Sequence, residues 1–107
     1  AYRVNLARGE GSTSAVATLD SFSASTFRSA NYFMQIADNS DGKYELQQLN
    51  VTHDGTNAFV SVFGSAGTDQ DMITVTADIN GGNVRLRGTI NTTNDHTVTS
   101  VRRIINV

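Results

Sequence analysis

The sequence lacks cysteine, proline and tryptophan, and its 107 residues include a single lysine, Lys43. Without cysteine the chain has no disulfide bond, thiolate zinc site or thiol chemistry, so packing and sheet hydrogen bonds must stabilise it. No apolar run approaches the roughly 20 residues of a transmembrane helix, which predicts no membrane partner. The formal net charge of −2 gives no electrostatic basis for nucleic acid as a partner, and we expect none.

The abundant residue types favour a small β-domain. Thr, Ser, Asn and Gly account for 42 residues, and the β-branched types Val, Ile and Thr account for 29. β-branched side chains favour strands, and no apolar stripe with helical spacing is sustained. The length is typical of one domain, so residues 1–107 are predicted to form a single β-sandwich domain.

Alternation with a period of two places the strands. In the clearest case, Ala30, Tyr32, Met34 and Ile36 lie on one face of a long strand. About eight such segments, spaced about 10 residues apart, predict an all-β antiparallel sandwich with jelly-roll or immunoglobulin-like topology. The predicted strands cover 2–7, 15–22, 27–38, 43–53, 58–63, 73–79, 84–90 and 97–107.

Three local patterns predict turns and irregularities. Asn80–Asn83, with its central Gly-Gly, predicts a tight hairpin. The apolar parity changes within 43–53, which predicts a β-bulge near Gln47 and Gln48. Residues 58–63 are apolar on both parities, so we expect both faces of that strand to be covered, followed by a loop over 64–71.

No residue pattern indicates catalysis or a cofactor. His53 and Asp54 can pair as a base and its orienter, but adjacent strand residues point to opposite faces, and Asp-Gly is ordinary turn chemistry. His96 falls in a predicted polar loop, and two histidines without cysteine make a poor metal-ligand set. Calcium binding is a weak alternative for two pairs of carboxylates, Asp38 with Asp41 and Asp69 with Asp71. Because none of these patterns is specific, we predict a non-enzymatic protein without metal or cofactor.

Charge is unevenly distributed along the chain. Residues 38–78 contain seven acids and one base, whereas 79–107 contain four arginines and one acid. Arg85 and Arg87 share a strand face, which predicts a local basic strip. The strip either pairs with acids of neighbouring strands or meets the acidic part of another copy. The candidate subunit-contact residues are Arg85, Arg87, Arg102 and Arg103.

Three phenylalanines are candidates for exposure. Phe59 and Phe63 lie on the parity opposite to Val60, and Phe33 lies opposite to Met34. If that face is open, it is an interaction surface for protein or sugar; otherwise a second sheet buries it. The parity pattern leaves both alternatives open.

Three ordered stretches carry a resemblance to a known module. Phe27–Ile36 matches F/Y-R-S-A-x-Y-x-x-Q, His53–Phe59 matches H-D/N-G-T-x-A, and Ala77–Leu86 matches A-x-I-x-G-G-N-V/L-x-L. The pattern resembles a structural module in virion proteins of tailed marine bacteriophages, especially cyanophages, and Val98–Ile105 is similar to its last strand. The resemblance spans about residues 15–105 and implies an all-β virion domain of a tail fibre, neck appendage or capsid decoration.

Two functions are consistent with these observations. The first is a non-enzymatic virion structural protein, assembled in the bacterial host cytoplasm, that packs against other virion proteins and forms a homo-oligomer. The alternative is a carbohydrate-binding adhesin that recognises host surface glycans. Its candidate ligand contacts are the loops at 53–57, 64–71 and 91–96.

Overall fold

The computed structural model describes residues 16–68, 72–91 and 94–107, together with the backbone of residues 2–6. Within these ranges the chain forms eight β-strands, as the sequence predicts. No helix in the described ranges is long and apolar enough to cross a membrane. The strands are β1 (Tyr2–Leu6), β2 (Val16–Ser23), β3 (Phe27–Asp38), β4 (Lys43–His53), β5 (Ala58–Gly67), β6 (Ile73–Asn80), β7 (Asn83–Ile90) and β8 (His96–Asn106).

The strands form two antiparallel sheets. The five-stranded sheet has the order β1-β8-β3-β4-β5, and the three-stranded sheet has the order β2-β7-β6. β1 pairs with β8 in one sheet and β2 pairs with β7 in the other, which is the nested pairing of a jelly roll. An immunoglobulin sandwich instead places its first two strands in the same sheet. β3, β4 and β5 continue as a meander, so the jelly-roll pairing is confined to the first two and the last two strands of the chain.

The core lies between the inner faces of the two sheets. Tyr32, Met34 and Ile36 of β3 are fully buried, as the alternation predicts. Burial of each large aliphatic side chain contributes roughly 1.5–3 kcal/mol, so this shared core holds the two sheets together. The other buried apolar residues are Leu19, Phe22, Ala30, Leu49, Val51, Met72, Ile73, Val84, Leu86, Ile90 and Val98.

The predicted β6–β7 hairpin is confirmed. Asn80 and Asn83 are directly paired, and Gly81 and Gly82 between them have φ values of 59° and 81°. A two-residue turn with positive φ at both positions is type I′, whose twist matches that of the flanking strands. Glycine adopts this conformation without steric strain, so the Gly-Gly pair determines the register of β6 against β7.

The predicted irregularity near Gln47 and Gln48 is right in position, because the ladder of β4 with β5 shifts register between Gln48 and Leu49, but wrong in strand, because β4 pairs with β3 without interruption. The same alternate residues of β4 face the core along the whole strand, because the polar side chains of Glu45 and Gln47, which are 2% and 4% exposed, point inward. Tyr44 and Leu46 consequently lie on the outer face and are exposed. The bulge lies opposite, in β5, where Phe63 is the extra residue between the pairs at Gly64 and Val62.

Three further expectations for this region need correction. β5 continues to Gly67, so residues 64–67 are strand rather than loop. Phe59 and Phe63 are exposed, which shows that the two faces of β5 are not both covered. His96 begins β8 and is buried, whereas the sequence places it in a loop. At Gly64–Gly67 and at His96, strand pairing with β4 or β3 extends the strand beyond its apolar segment, whereas Phe59 is exposed because no second sheet covers the outer face of β5.

Candidate functional site

The outer surface of the five-stranded sheet is the main candidate site. We call its part on β8, β3, β4 and β5 the open face, because its apolar side chains remain exposed while the three-stranded sheet covers the opposite side. Alternation along each strand brings every second residue to this face. Its exposed large apolar side chains are Phe33, Tyr44, Leu46, Phe59, Val101 and Ile105.

A row of polar side chains crosses the open face. Arg103, Asn31, Asn50 and Ser61 are direct neighbours on successive strands, and we call them the polar row. Arg103 Nη2 donates to Asn31 Oδ1 at 3.1 Å, and Asn31 Nδ2 donates to Asn50 Oδ1 at 2.9 Å. These hydrogen bonds orient both amides. Among the described residues, nothing accepts a hydrogen bond from the Asn50 amino group.

The next row along the strands forms the walls and floor of a groove. Ile105, Ser29, Thr52 and Phe59 are neighbours on β8, β3, β4 and β5. The Ser29 and Thr52 hydroxyls are hydrogen-bonded at 2.8 Å in the floor. Phe59, 53% exposed, and Ile105, 65% exposed, stand on either side. The groove, about 620 Å³, includes the whole polar row in its lining, and its size is typical of small-ligand pockets.

An apolar patch lies further along the same face. Phe33 and Val101 are directly opposite on β3 and β8, and Leu46 is diagonal to Phe33 on β4. Tyr44 precedes Leu46 in β4 and lies on the same side of the strand. We call these four residues the apolar patch. Phe63 adds another exposed ring at the β5 bulge.

The four predicted contact arginines lie in three places. Arg85 and Arg87 share the outer face of the three-stranded sheet, as predicted, and are half-buried. Arg85 forms two hydrogen bonds, of 2.7 and 2.6 Å, with Asp78 directly opposite. This guanidinium, through those hydrogen bonds, lowers the pKa of Asp78 below its usual value. Arg85 therefore pairs with a neighbouring strand, which was one of the two alternatives.

Arg102 joins the two sheets within one molecule. A bulge in β2 at Leu19 turns Asp20 toward the interior. Asp20 Oδ2 accepts hydrogen bonds from the Arg102 guanidinium at 2.9 Å and from the Tyr32 hydroxyl at 2.8 Å. Burial, followed by the Asp20 hydrogen bond, raises the pKa of Tyr32 above its usual value. Arg103 is on the open face instead, so the structure does not bring the four arginines together, and their role as a subunit contact stays a prediction.

His53 and Asp54 stabilise the β4–β5 turn. The His53 ring nitrogens are 2.7 Å from the Phe27 carbonyl oxygen and 3.0 Å from the donating Gly55 N–H, so both have partners. Asp54 Oδ1 accepts hydrogen bonds from the backbone N–H groups of Thr56 and Asn57. These backbone hydrogen bonds lower the pKa of Asp54 below its usual value. The turn interpretation of this pair fits these contacts, since neither side chain is positioned as a base or its orienter.

Asp38 organises the other end of the five-stranded sheet. Its Oδ1 accepts hydrogen bonds from the backbone of Ser40 and Asp41, and its Oδ2 accepts one from Asn94. Burial favours the protonated acid, but these hydrogen bonds outweigh it and lower the pKa of Asp38. The buried His96 donates a hydrogen bond through Nδ1 to the Asn94 carbonyl oxygen at 2.9 Å, and its Nε2 lies 4.0 Å from Asp38 Oδ2.

Metal ligation finds little support in this arrangement. In the part of the chain that the structure describes, no group of three or more His, Asp or Glu side chains is placed to hold an ion. The Asp38 and Asp41 carboxylates share a hydrogen-bond donor in Asn94. Asp69 and Asp71, the second calcium hypothesis, lie outside the described residues.

The groove was not among the predicted sites. Of the three loops proposed for ligand contact, 53–57 is an internally hydrogen-bonded turn, and 64–67 belongs to β5. Residues 69–71 and 92–93 lie outside the described residues. The available signal was the outward parity of Asn31 on β3 and of Asn50 on β4. Parity does not give the register that places the two residues side by side, so the sequence could not identify the row.

Comparison with known proteins gives a likeness of fold. No protein-family model and no curated protein sequence matches the chain. The tailspike protein of the Acinetobacter phage vB_ApiP_P1 matches 98% of this chain with a TM-score of 0.56 and 17% identity. The tailspike protein of the Acinetobacter baumannii phage AM24 matches 99% with a TM-score of 0.54 and 13% identity. This chain covers 22% and 25% of those proteins, so its fold occurs as a part of phage tailspikes.

Proposed function

We propose that this chain is a non-enzymatic structural domain of a phage tail appendage, held in the virion by packing against other virion subunits. Two independent likenesses support this proposal. The ordered sequence motifs resemble those of virion modules, and the fold matches segments of two tailspike proteins over nearly the whole chain. The resemblance to marine phages in particular, and assembly in the host cytoplasm, remain parts of the proposal.

The apolar patch is the observation that carries the packing role. Exposed contiguous apolar surface on a soluble domain marks interaction sites, and interface cores are rich in aromatic residues and poor in charge. Among the described residues of the open face, Arg103 is the one charged side chain. The amides of Gln35 and Gln48, which lie beside the apolar patch on the same face, both donate and accept hydrogen bonds. They can therefore pair with a second copy of the chain, which supports a homo-oligomer.

The positions of the titratable groups support the non-enzymatic part of the proposal. The described residues that line the groove include no Asp, Glu or His. The buried carboxylate of Glu45 accepts hydrogen bonds from the Ser65 hydroxyl and the Met72 backbone. His53 has partners at both ring nitrogens. These groups stabilise turns and strand ends instead of converging on an open site.

Sedimentation at micromolar concentration tests this proposal. We expect the wild-type chain to self-associate, or to bind purified particles that lack it, through the apolar patch. Replacing Phe33 and Leu46 by serine should shift the protein to monomer and weaken particle binding, because both side chains would leave water on association. Val16→Ser is the control, since Val16 is equally exposed but lies on the three-stranded sheet. A wild-type chain that is strictly monomeric and does not bind particles would refute the proposal.

A further inference from the structure

The groove and its polar row have a composition that assembly does not require. The groove lies at the end of the open face that carries Phe59 and Ile105, beyond the apolar patch. Its lining combines two apolar walls with a polar row held in a fixed orientation. Pockets of this size and mixed composition are the usual places for small-ligand binding, with a few oriented polar groups providing specificity.

Hydrogen-bonding groups in the polar row remain available to a ligand. Asn31 is occupied, because its amide both accepts from Arg103 and donates to Asn50. The amino group of Asn50 and the hydroxyl of Ser61 have no protein partner among the described residues. Both are exposed on adjacent strands, which lie about 4.8 Å apart. The Asn50 amino group and the Ser61 hydroxyl are thus one strand spacing apart along the groove, and both are open to a ligand.

The apolar walls of the groove determine which apolar surface the ligand must have. Phe59 is an exposed aromatic ring beside these donors, and it lies directly opposite Thr52 at the groove floor. A ligand that is apolar on one face and covered with hydroxyls at its edge satisfies both the ring and the polar row. A pyranose ring has this amphipathic shape, since its C–H groups can cover an aromatic ring while its hydroxyls both donate and accept hydrogen bonds.

Arg103 specifies the charge of the ligand. Among the described side chains its hydrogen-bond partner is the neutral amide of Asn31, and no carboxylate neutralises its guanidinium. Arg85 and Arg102, by contrast, are both paired with aspartates. The remaining N–H groups of a guanidinium suit a carboxylate, to which they form charge-assisted hydrogen bonds.

We propose that the groove between Phe59 and Ile105 binds a carboxylated saccharide, with Phe59 against a sugar ring, Asn50 and Ser61 on its hydroxyls and Arg103 on its carboxylate. This site goes beyond the packing role of the apolar patch. It lies on the sheet face instead of the loops predicted from the sequence. The groove floor and its walls, Phe59 and Ile105, lie on the side of the polar row away from the apolar patch, so a contact confined to the patch leaves them open.

Titration of isotope-labelled protein with two short oligosaccharides tests the site by nuclear magnetic resonance. The carboxylated probe is oligogalacturonate, and the neutral probe is a galacto-oligosaccharide of the same length. We expect oligogalacturonate to shift the side-chain amide signals of Asn31 and Asn50 and the backbone signal of Phe59. Binding of the neutral probe should be about tenfold weaker, because it lacks the carboxylate that pairs with Arg103.

Two substitutions with matched controls identify the contacts. Arg103→Gln should reduce the affinity for oligogalacturonate about tenfold, to that of the neutral probe, and Arg85→Gln on the other sheet should leave it unchanged. Phe59→Ser should weaken both probes, whereas Phe63→Ser, at an equally exposed ring outside the groove lining, should not. Amide spectra of each variant establish that the fold is retained.

Three results would overturn the proposal. The first is the absence of groove shifts with either saccharide, and the second is equal affinity for both probes. The third is unchanged binding in Arg103→Gln or Phe59→Ser with the fold intact. None of these results affects the sedimentation test of the apolar patch, so failure of the saccharide site and failure of the packing role can be distinguished.

Discussion

The two outer faces of the sandwich differ in chemistry, although both are built from strands of similar composition. The open face of the five-stranded sheet carries exposed aromatic and aliphatic side chains, with one charged residue among those described, Arg103. The outer face of the three-stranded sheet carries the Asp78–Arg85 ion pair, Arg87, and a series of threonines and serines. Val16 is its large exposed apolar residue.

The difference separates a charged, hydroxyl-rich face from a largely apolar one. Charged and hydroxyl side chains keep the three-stranded side hydrated, as is typical of a solvent-facing sheet. The open face instead exposes apolar surface to water, and association would bury that surface. We infer that the three-stranded sheet mainly covers the core and that contact functions belong to the opposite side. Four predictions test this division, in order of decreasing expected effect.

The largest effect should come from Gly88, which lets the three-stranded sheet lie close to the core. A Cβ atom at this position would be 2.6 Å from Ile73 Cδ1 and 2.9 Å from Leu19 Cδ1. Gly88→Val should therefore lower the free energy of unfolding by about 3 kcal/mol, through overpacking of a dense interior. Chemical denaturation measures this change. Gly64→Ala is the control, because its nearest contact is an ordinary 3.6 Å to Gln48 Cβ, and a similar loss there would contradict the explanation.

The next effect concerns the link between the sheets at Asp20. Asp20→Ala removes the acceptor of both the Tyr32 hydroxyl and the Arg102 guanidinium. We expect a loss of about 2 kcal/mol, because the Tyr32 hydroxyl is left without this acceptor in a buried position. Thermal unfolding provides the measurement. The exposed pair offers the comparison, since Asp78→Ala should destabilise much less, and equal losses would show that the intersheet link has no special role.

Acid should affect the fold through the sheet ends and not through the open face. The pKa of Asp38 is lowered in the folded state, so its stabilising contribution is present above the unfolded value of about 3.9. That contribution is lost as the pH falls through the folded value, because the proton then binds the native carboxylate. Unfolding curves between neutral pH and about pH 3 should show this decline.

Asp38→Asn provides the control for the acid effect. It should be less stable at neutral pH but should show a flatter dependence below about pH 4. Among its described residues, the open face carries no carboxylate. Self-association should therefore be unaffected while the protein remains folded. An acid profile that Asp38→Asn leaves unchanged would assign the effect to other carboxylates.

The smallest effect is expected from the charges of the three-stranded sheet. Arg85→Glu combined with Arg87→Glu breaks an exposed ion pair and should shift the melting temperature by less than about 4 °C. If assembly uses the open face, this double variant should sediment like the wild type. Reduced assembly with an intact fold would instead support the arginine contact predicted from the sequence, and it would reverse the division of roles between the two faces.

The sequence predicted most of the architecture because strand periodicity and turn chemistry are local. The Gly81-Gly82 turn and the inward series from Ala30 to Ile36 required no knowledge of distant partners. Two errors arose where burial contradicts polarity. Glu45 and Gln47 point inward on β4, which the apolar pattern interpreted as a change of parity. His96 is buried at the start of β8, although its polar neighbours indicated a loop.

The candidate site required information that one sequence does not contain. The polar row takes its members from four strands, and their proximity depends on the pairing of β8 with β3, β4 and β5. A shift of one residue between β3 and β4 would send Asn31 and Asn50 to opposite faces. Similarly, whether an arginine is paired within the molecule depends on which side chain lies opposite it on the neighbouring strand. Asp78 faces Arg85, whereas an amide faces Arg103.

The bulge at Phe63 has a consequence for how molecules can meet edge to edge. β5 is the edge of its sheet, and its ten residues contain no charge that would discourage a strand of another molecule from adding to it. An extra residue bends the strand and increases its twist, so the row of free backbone groups is not straight. Long ribbons that grow by strand addition, as in aggregation, are thereby disfavoured.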